Sequence, residues 1–322
     1  MDSRRRLPRV VAFAIALGLL FLPQARAAEP TMVKLGTATP GGGFPVYGDA
    51  LVAAMKAVDP TLEIVAMNTK GSGENIPLLE AGKLDIALVQ GESAYEALNG
   101  VGRARADLRI FTAMYSSPGM FVVKAGSPVR SIADLTGQPV AFGAAGSGLV
   151  ILARYVLDGI GLDQNTDFKA VFLERAGDGP AMVADGRVAA LWGGGIGWPG
   201  FTAVAKAPGG ARFIVPTADE IARIQAKHAF LRTLVIPAGA YPGQDALLTS
   251  VGSWSFVLMR PDLDEALAYR LAKALHAAEA DLARRLPQAA ETTARNTVAA
   301  APRRELLHPG VARYLRDAGL MP

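Results

Sequence analysis

No cysteine occurs in the 322 residues, which excludes a disulfide framework, a thiol nucleophile and any thiolate metal site. Histidine is nearly as scarce. His228, His276 and His308 are the only three; they do not fall at metal-ligand spacing, and no His-Glu-x-x-His run exists. A P-loop lysine and a Gly-x-Ser-x-Gly elbow are also missing, although Tyr115-Ser116-Ser117-Pro118-Gly119 comes within one residue of the elbow. Gly195-Ile196-Gly197-Trp198-Pro199-Gly200 has the spacing of a dinucleotide fingerprint. Trp198 and Pro199, however, stand where a tight strand-to-helix turn is needed, so the match is read as coincidence. No metal, cofactor or catalytic residue is expected.

Charge of one sign is lacking too. The formal excess is +4, and Arg4, Arg5, Arg6, Arg9 and Arg26 against Asp2 account for all of it. Beyond residue 27 the chain is neutral and carries no basic cluster, so nucleic acid is not an expected partner. Long apolar runs are also few. Val10 to Leu22 is one, but it falls short of the ~20 residues a spanning helix needs. With the arginines before it and Ala25-Arg26-Ala27 after it, it reads as a secretory signal over residues 1–27, cleaved after Ala27. Ser3-Arg4-Arg5 also fits the start of a twin-arginine signal, so the export route stays open. The expectation is a processed protein outside the cytoplasm, in the periplasm.

What is present is a large apolar fraction, 51% of residues, enough for a sizeable core and too much for disorder. The remaining length suggests two domains. Short runs rich in Val, Ile and Leu recur at Val33–Leu35, Leu62–Met67, Leu84–Val89, Ile110–Met114, Met120–Val123, Val140–Phe142, Ala170–Leu173, Val188–Trp192, Phe213–Val215 and Trp254–Leu258. Such runs are too short for buried helices and suit strands covered on both faces. Helical patterns separate many of them. Ser131 with Asp134, Thr217 with Glu220 and Asp262 with Glu265 have the spacing of helix starts. After about residue 262 the chain reads as helix to its end. Strand–helix alternation with a helical tail predicts an α/β protein of two doubly wound lobes.

Glycine loops punctuate this pattern where strands pass into helices. Gly36-Thr37-Ala38-Thr39-Pro40-Gly41-Gly42-Gly43-Phe44 precedes the first helix, which carries Tyr47. Glycines there let a backbone approach a ligand, and the helix start offers unpaired N–H donors; a flexible turn is the plainer alternative. Gly71-Ser72-Gly73-Glu74-Asn75 repeats the arrangement, with Ser72 and Asn75 able to cap a helix or donate to a ligand. Gln90 and Glu92 lie just past the strand Leu84–Val89 at the sheet edge, where a polar residue can face a ligand; a loop hydrogen bond is the alternative for Gln90. Gly146-Ser147-Gly148 follows another strand, with Ser147 placed as an N-cap. Trp198, in a loop, is a candidate for a cleft wall, whereas Trp192 and Trp254 lie in strand-like runs and are assigned to the core. Tyr115-Ser116-Ser117-Pro118 has the look of a connection between lobes. Lys70, Arg154 and Arg175 could supply positive charge, although a solvated or structural role is the plainer reading for each.

Taken in order, these segments resemble the TAXI group of TRAP-transporter solute-binding proteins. The resemblance covers essentially the whole chain after the leader. It rests on Gly36-Thr37 with the glycine loop and Tyr47-Gly48, on Gly71 to Asn75 with Leu79, Gly82, Asp85 and Val89-Gln90, and on Ser131 to Gly137. Gly146-Ser147-Gly148, Ile236 to Tyr241 and His308-Pro309-Gly310 complete it. The resemblance implies a type II periplasmic-binding-protein fold with two crossover strands. One lobe would comprise residues 28–118 with 259–322, and the other residues 119–258. It further implies a small carboxylate or acidic amino acid held by Thr37, Gly43, Ser72, Asn75, Gln90 and Ser147, and delivery to the membrane subunits of a TRAP permease. Gly42, Phe44, Tyr47, Tyr115, Gly146, Gly148 and Trp198, in or beside the loops already described, complete the expected site. Two loops depart from the family. Ala38, Thr39, Pro40, Phe44 and Pro45 interrupt Gly-Thr repeats that end in two tyrosines, and Ala145 and Leu149 replace Pro and Thr. Two other readings share the fold: an exported enzyme, which would need a reactive side-chain pair in the cleft, and a sensor passing its closed state to a membrane kinase.

Overall fold

The computed structural model describes residues 31–322; the secretory signal expected over residues 1–27 and its expected cleavage site lie outside the described residues. In chain order the first lobe begins with β1 (Thr31–Gly36), α1 (Gly43–Val58), β2 (Leu62–Met67), α2 (Ser72–Glu80), β3 (Ile86–Val89) and α3 (Gly91–Asn99). Then β4 (Arg109–Lys124) leads to β5 (Pro139–Ala144), α4 (Gly148–Gly159), β6 (Lys169–Leu173), α5 (Gly179–Ala184), β7 (Ala190–Gly194), α6 (Pro199–Lys206), β8 (Ala211–Ile214), α7 (Ala218–Lys227) and β9 (Arg232–Ile236). The chain returns along β10 (Leu248–Met259) and ends in α8 (Glu265–Arg285), α9 (Ala294–Ala300) and α10 (Pro309–Asp317). This is the two-lobed mixed α/β architecture the sequence pattern predicts, in the type II arrangement that the resemblance implies.

Two long strands carry the chain between lobes. The sequence splits β4 into two runs, Ile110–Met114 and Met120–Val123, yet it is a single 16-residue strand that stays extended through Tyr115 to Gly119. Its first part pairs antiparallel with β10, and its last part pairs with β7 and β8. The strands β4 and β10 separate at Pro118 opposite Gly252. Glycine is required at this fork: a Cβ on Gly252 would lie 2.0 Å from the Ser117 carbonyl oxygen, and one on Gly119 would lie 2.6 Å from the Trp192 ring. On the return, Phe256 to Met259 pair with β3, and Leu248 to Gly252 pair with β9. Residues 252–258, assigned from the sequence to the second lobe, are thus hydrogen-bonded into the first sheet. β9, which the sequence reading missed, is an edge strand with mostly exposed side chains, so it lacks the apolar signature of its neighbours.

Burial follows the strand period of two. In β4, Phe121 and Val123 join one apolar cluster with Phe142, Trp192 and α4, while Met120 and Val122 join another with Leu191 and Phe201 on the opposite face. The first sheet packs with α1, α8 and α10 into a third cluster holding Tyr47, Leu271, Leu282 and Leu315. The helical tail therefore belongs to the first lobe. Thr217 and Glu220 form the expected capping box on α7. For α8 the cap is Asp264, whose side chain accepts from the Leu267 N–H; Asp262, the residue expected from spacing, pairs with Arg260 instead.

Candidate ligand-binding cleft

The ends of β1, β3, β5 and β7 open on one interlobe cleft, as expected for parallel strands at which the order reverses. The lobes are closed on it and leave a void of about 40 Å³. Five helices start there. The residues preceding α1, α2, α3, α4 and α6 are Gly42, Gly71, Gln90, Ser147 and Trp198, and all five line the void. Of these, only Ser147 caps its own helix, accepting from the Leu149 N–H at 3.2 Å. The other four starts leave backbone donors and partial positive charge facing the cleft.

Side chains refine this floor. Ser72 is fully buried, and its Oγ accepts from the Gln90 backbone N–H at 3.0 Å, which leaves its own proton free to donate. Gln90 Oε1 accepts from Ser255 at 3.2 Å, and its Nε2 is buried without a partner. Ser93 Oγ, Asn75 Oδ1 and Glu92 Oε2 are unpartnered in the same way. Buried polar atoms normally find partners, so the orphaned Gln90 Nε2, the one of these four whose residue lines the void, marks where a ligand can complete the network. Tyr115 presents its hydroxyl beside Gly43, and burial pushes its ionisation well above the usual range, so it remains a neutral donor.

Of the residues expected at the site, Gly42, Gly43, Phe44, Ser72, Gln90, Tyr115, Ser147, Gly148 and Trp198 line the void together. Thr37, Tyr47 and Asn75 stand behind the wall. Thr37 Oγ1 donates to the Met67 carbonyl at 3.0 Å. Tyr47 hydrogen-bonds Thr292 and meets Tyr115 edge to face. Asn75 Nδ2 donates to the carbonyls of Thr37 and Leu88, both at 2.8 Å, tying the β1 loop to β3. Asn75→Ala leaves these buried carbonyls without that donor and should cost about 2 kcal/mol of stability, read by urea unfolding. Gly146 holds the rim: its carbonyl accepts from Gly73 N–H at 3.1 Å, across the lobes.

The sequence reading did not single out Ser117 or Ala176 as site residues, yet both line the void, and Thr39 Oγ1 accepts from the Ala176 N–H at 3.2 Å to close one side. Arg154 and Arg175 offer no free charge, because they pair with Glu96 and Asp178. Trp192 is core as expected, donating to the Leu149 carbonyl, whereas Trp254 is half-buried in an outer groove. The three histidines are dispersed: His228 binds Asp158, His276 binds Tyr314, and His308 accepts from Gly310. Among the described residues no group of three His, Cys, Asp or Glu is placed to hold a metal. No described helix is long and apolar enough to cross a membrane.

Glu92 is the most unusual group near the floor. It sits in the first turn of α3, fully buried, and its Oε1 accepts from Ser253 at 2.6 Å. Burial pushes its carboxyl up to about 7, with a smaller contribution of the same sign from Glu96.

Two α/β lobes joined by two strands, with helix starts converging between them, define a clamp of the periplasmic-binding-protein fold. The chain belongs to the NMT1-like family, which matches residues 35–319. It is similar to the alkanesulfonate-binding protein SsuA from Xanthomonas axonopodis pv. citri, solved with MOPS bound, at 20% identity and a TM-score of 0.51 over 92% of this chain and 86% of that one. A protein from Bordetella bronchiseptica RB50 aligns at 13% identity and a TM-score of 0.58, covering 90% and 99% of the two chains. A periplasmic transporter structure aligns at 15% identity and 0.53, covering 80% and 87%.

Proposed function

We propose that the protein is an extracytoplasmic solute receptor, exported to the periplasm, that traps a small organic anion by lobe closure and delivers it to a membrane permease. The observation that carries this reading is the convergence of five helix starts on one void. Helix N-termini favour negative charge, and their amides need no reorganisation to receive it. A void of about 40 Å³ favours a small solute. The lining offers the hydroxyls of Ser72, Tyr115 and Ser147 together with the amides of the glycine loops, which matches a carboxylate or sulfonate better than an uncharged sugar. The sulfonate ligand of one structural relative points to the same chemistry. Within this class the ordered glycine and serine motifs of the sequence favour a TAXI-type TRAP receptor. Contact with both lobes stabilises the closed form, and that form is the signal a permease can read.

A thermal-shift screen of the purified protein tests the reading with monocarboxylates, dicarboxylates, acidic amino acids and alkanesulfonates. One of these should raise the midpoint in step with RT ln(1 + [L]/Kd). Stabilisation by neutral or cationic solutes alone would sink it. Ser147→Ala should weaken that anion by roughly 1–3 kcal/mol and remove about 1 kcal/mol of helix capping. Uptake into proteoliposomes driven by an ion gradient without ATP would separate a TRAP partner from an ATP-driven one.

A further inference from the structure

A second concavity, of about 300 Å³, lies outside the cleft. Tyr95 on α3 and Phe230, in the loop before β9, stack face to face across the lobes at 3.9 Å and 7°, and the pair lines the groove. The return strand supplies the floor through Trp254 and Phe256, and Arg232 and Arg303 stand at the margin. Neither arginine makes an ion pair among the described residues, and no carboxylate lines the groove.

An apolar lining made by the Tyr95–Phe230 pair, Trp254 and Phe256 beside two arginines without ion pairs is what a ring carrying one negative charge requires: aromatic contact for its body and charge-assisted hydrogen bonds for its head. We propose that the groove is a second binding site, for a small aromatic carboxylate or sulfonate, and that its occupation reinforces lobe closure. The coupling follows from the walls. Tyr95 belongs to the first lobe, Phe230 and Arg232 to the second, and Trp254 to the strand that connects them. The groove is assembled only when the lobes meet, so an occupant stabilises closure, and closure by the cleft solute raises affinity at the groove equally. The inference does not depend on which solute fills the cleft.

Titration calorimetry with 2-naphthoate, and with 2-naphthalenemethanol as its uncharged counterpart, tests the site. Saturable binding of 2-naphthoate is expected, weakened at least about tenfold in the Arg232→Ala/Arg303→Ala double variant. Both arginines are exposed, so the variant should fold. The alcohol should bind wild type and variant alike. No binding, equal affinity of the two compounds for wild type, or an unchanged affinity in the double variant would overturn the site; the last result is also what binding in the cleft alone would give. The coupling is tested separately with Gly148→Ala, in which a methyl group holds the lobes apart. About tenfold weaker naphthoate binding supports it, and an unchanged affinity overturns it.

Discussion

Gly148→Ala is expected to weaken binding of the cleft solute about 100-fold, or about 2.7 kcal/mol, while leaving each lobe folded. A Cβ at this position would lie 2.2 Å from Gln90 Cβ and 2.8 Å from the Oγ atoms of Ser72 and Ser93. All three neighbours belong to the first lobe, whereas Gly148 opens α4 of the second. The Gln90 Cβ is fixed by its own backbone and cannot swing aside, so the methyl group acts as a wedge between lobes. Within its own helix alanine is the better residue, which separates this effect from misfolding. Calorimetry with the anion identified by thermal shift should show the loss. Small-angle scattering should show a radius of gyration that no longer contracts on ligand addition. Gly126, where a Cβ meets nothing within 4 Å, is the control, and Gly126→Ala should behave as wild type. Undiminished affinity in Gly148→Ala would mean that closure contributes nothing to capture.

The second large effect concerns Glu92, whose carboxyl is pushed up to about 7 by burial. In the unfolded chain it ionises near 4.5. Between these values the folded state holds a proton that the unfolded state has released. Stability therefore falls as pH rises from about 4.5 to about 7 and is level above that window. At about 1.4 kcal/mol per pH unit the loss amounts to roughly 3 kcal/mol. Glu92→Gln keeps an acceptor for Ser253 and carries no charge at any pH. The variant should match wild type near pH 4.5 and exceed it by about 3 kcal/mol at pH 8 in urea unfolding. Parallel pH profiles for the two proteins would refute the buried ionisation. Because Gln90, two residues earlier, lines the cleft, ionised Glu92 also opposes an anionic solute. Affinity should accordingly fall through neutral pH in wild type and stay level in the variant.

Much of this architecture is visible in local pattern. Runs such as Leu62–Met67 and Val140–Phe142 are short and β-branched or aromatic because parallel strands are buried on both faces, and that burial writes itself into composition. The loops Gly41-Gly42-Gly43, Gly71-Ser72-Gly73 and Gly146-Ser147-Gly148 are legible for a similar reason: backbone approach and helix capping restrict the residue types allowed. Local pattern fails where the deciding neighbour is remote in sequence. The period of β4 is continuous, but Ser116 to Gly119 carry small or polar residues because the strand passes between two sheets there. Asn75 reads as a ligand donor, yet its amide is committed to Thr37 and Leu88. Glu92 reads, with Gln90, as a polar residue at the sheet edge able to face a ligand, and only the approach of β10 buries it.

The chain alone therefore specifies which segments become strands, which become helices, and where glycine opens the backbone to a partner, since period, capping and positive-φ demand are properties of neighbours a few residues apart. Tertiary structure alone decides that five helix starts share one void, that Gly148 touches Gln90, and that Tyr95 meets Phe230 across the lobes. Each of these depends on the angle at which two separately packed sheets meet at Pro118 and Gly252, and no local periodicity encodes that angle.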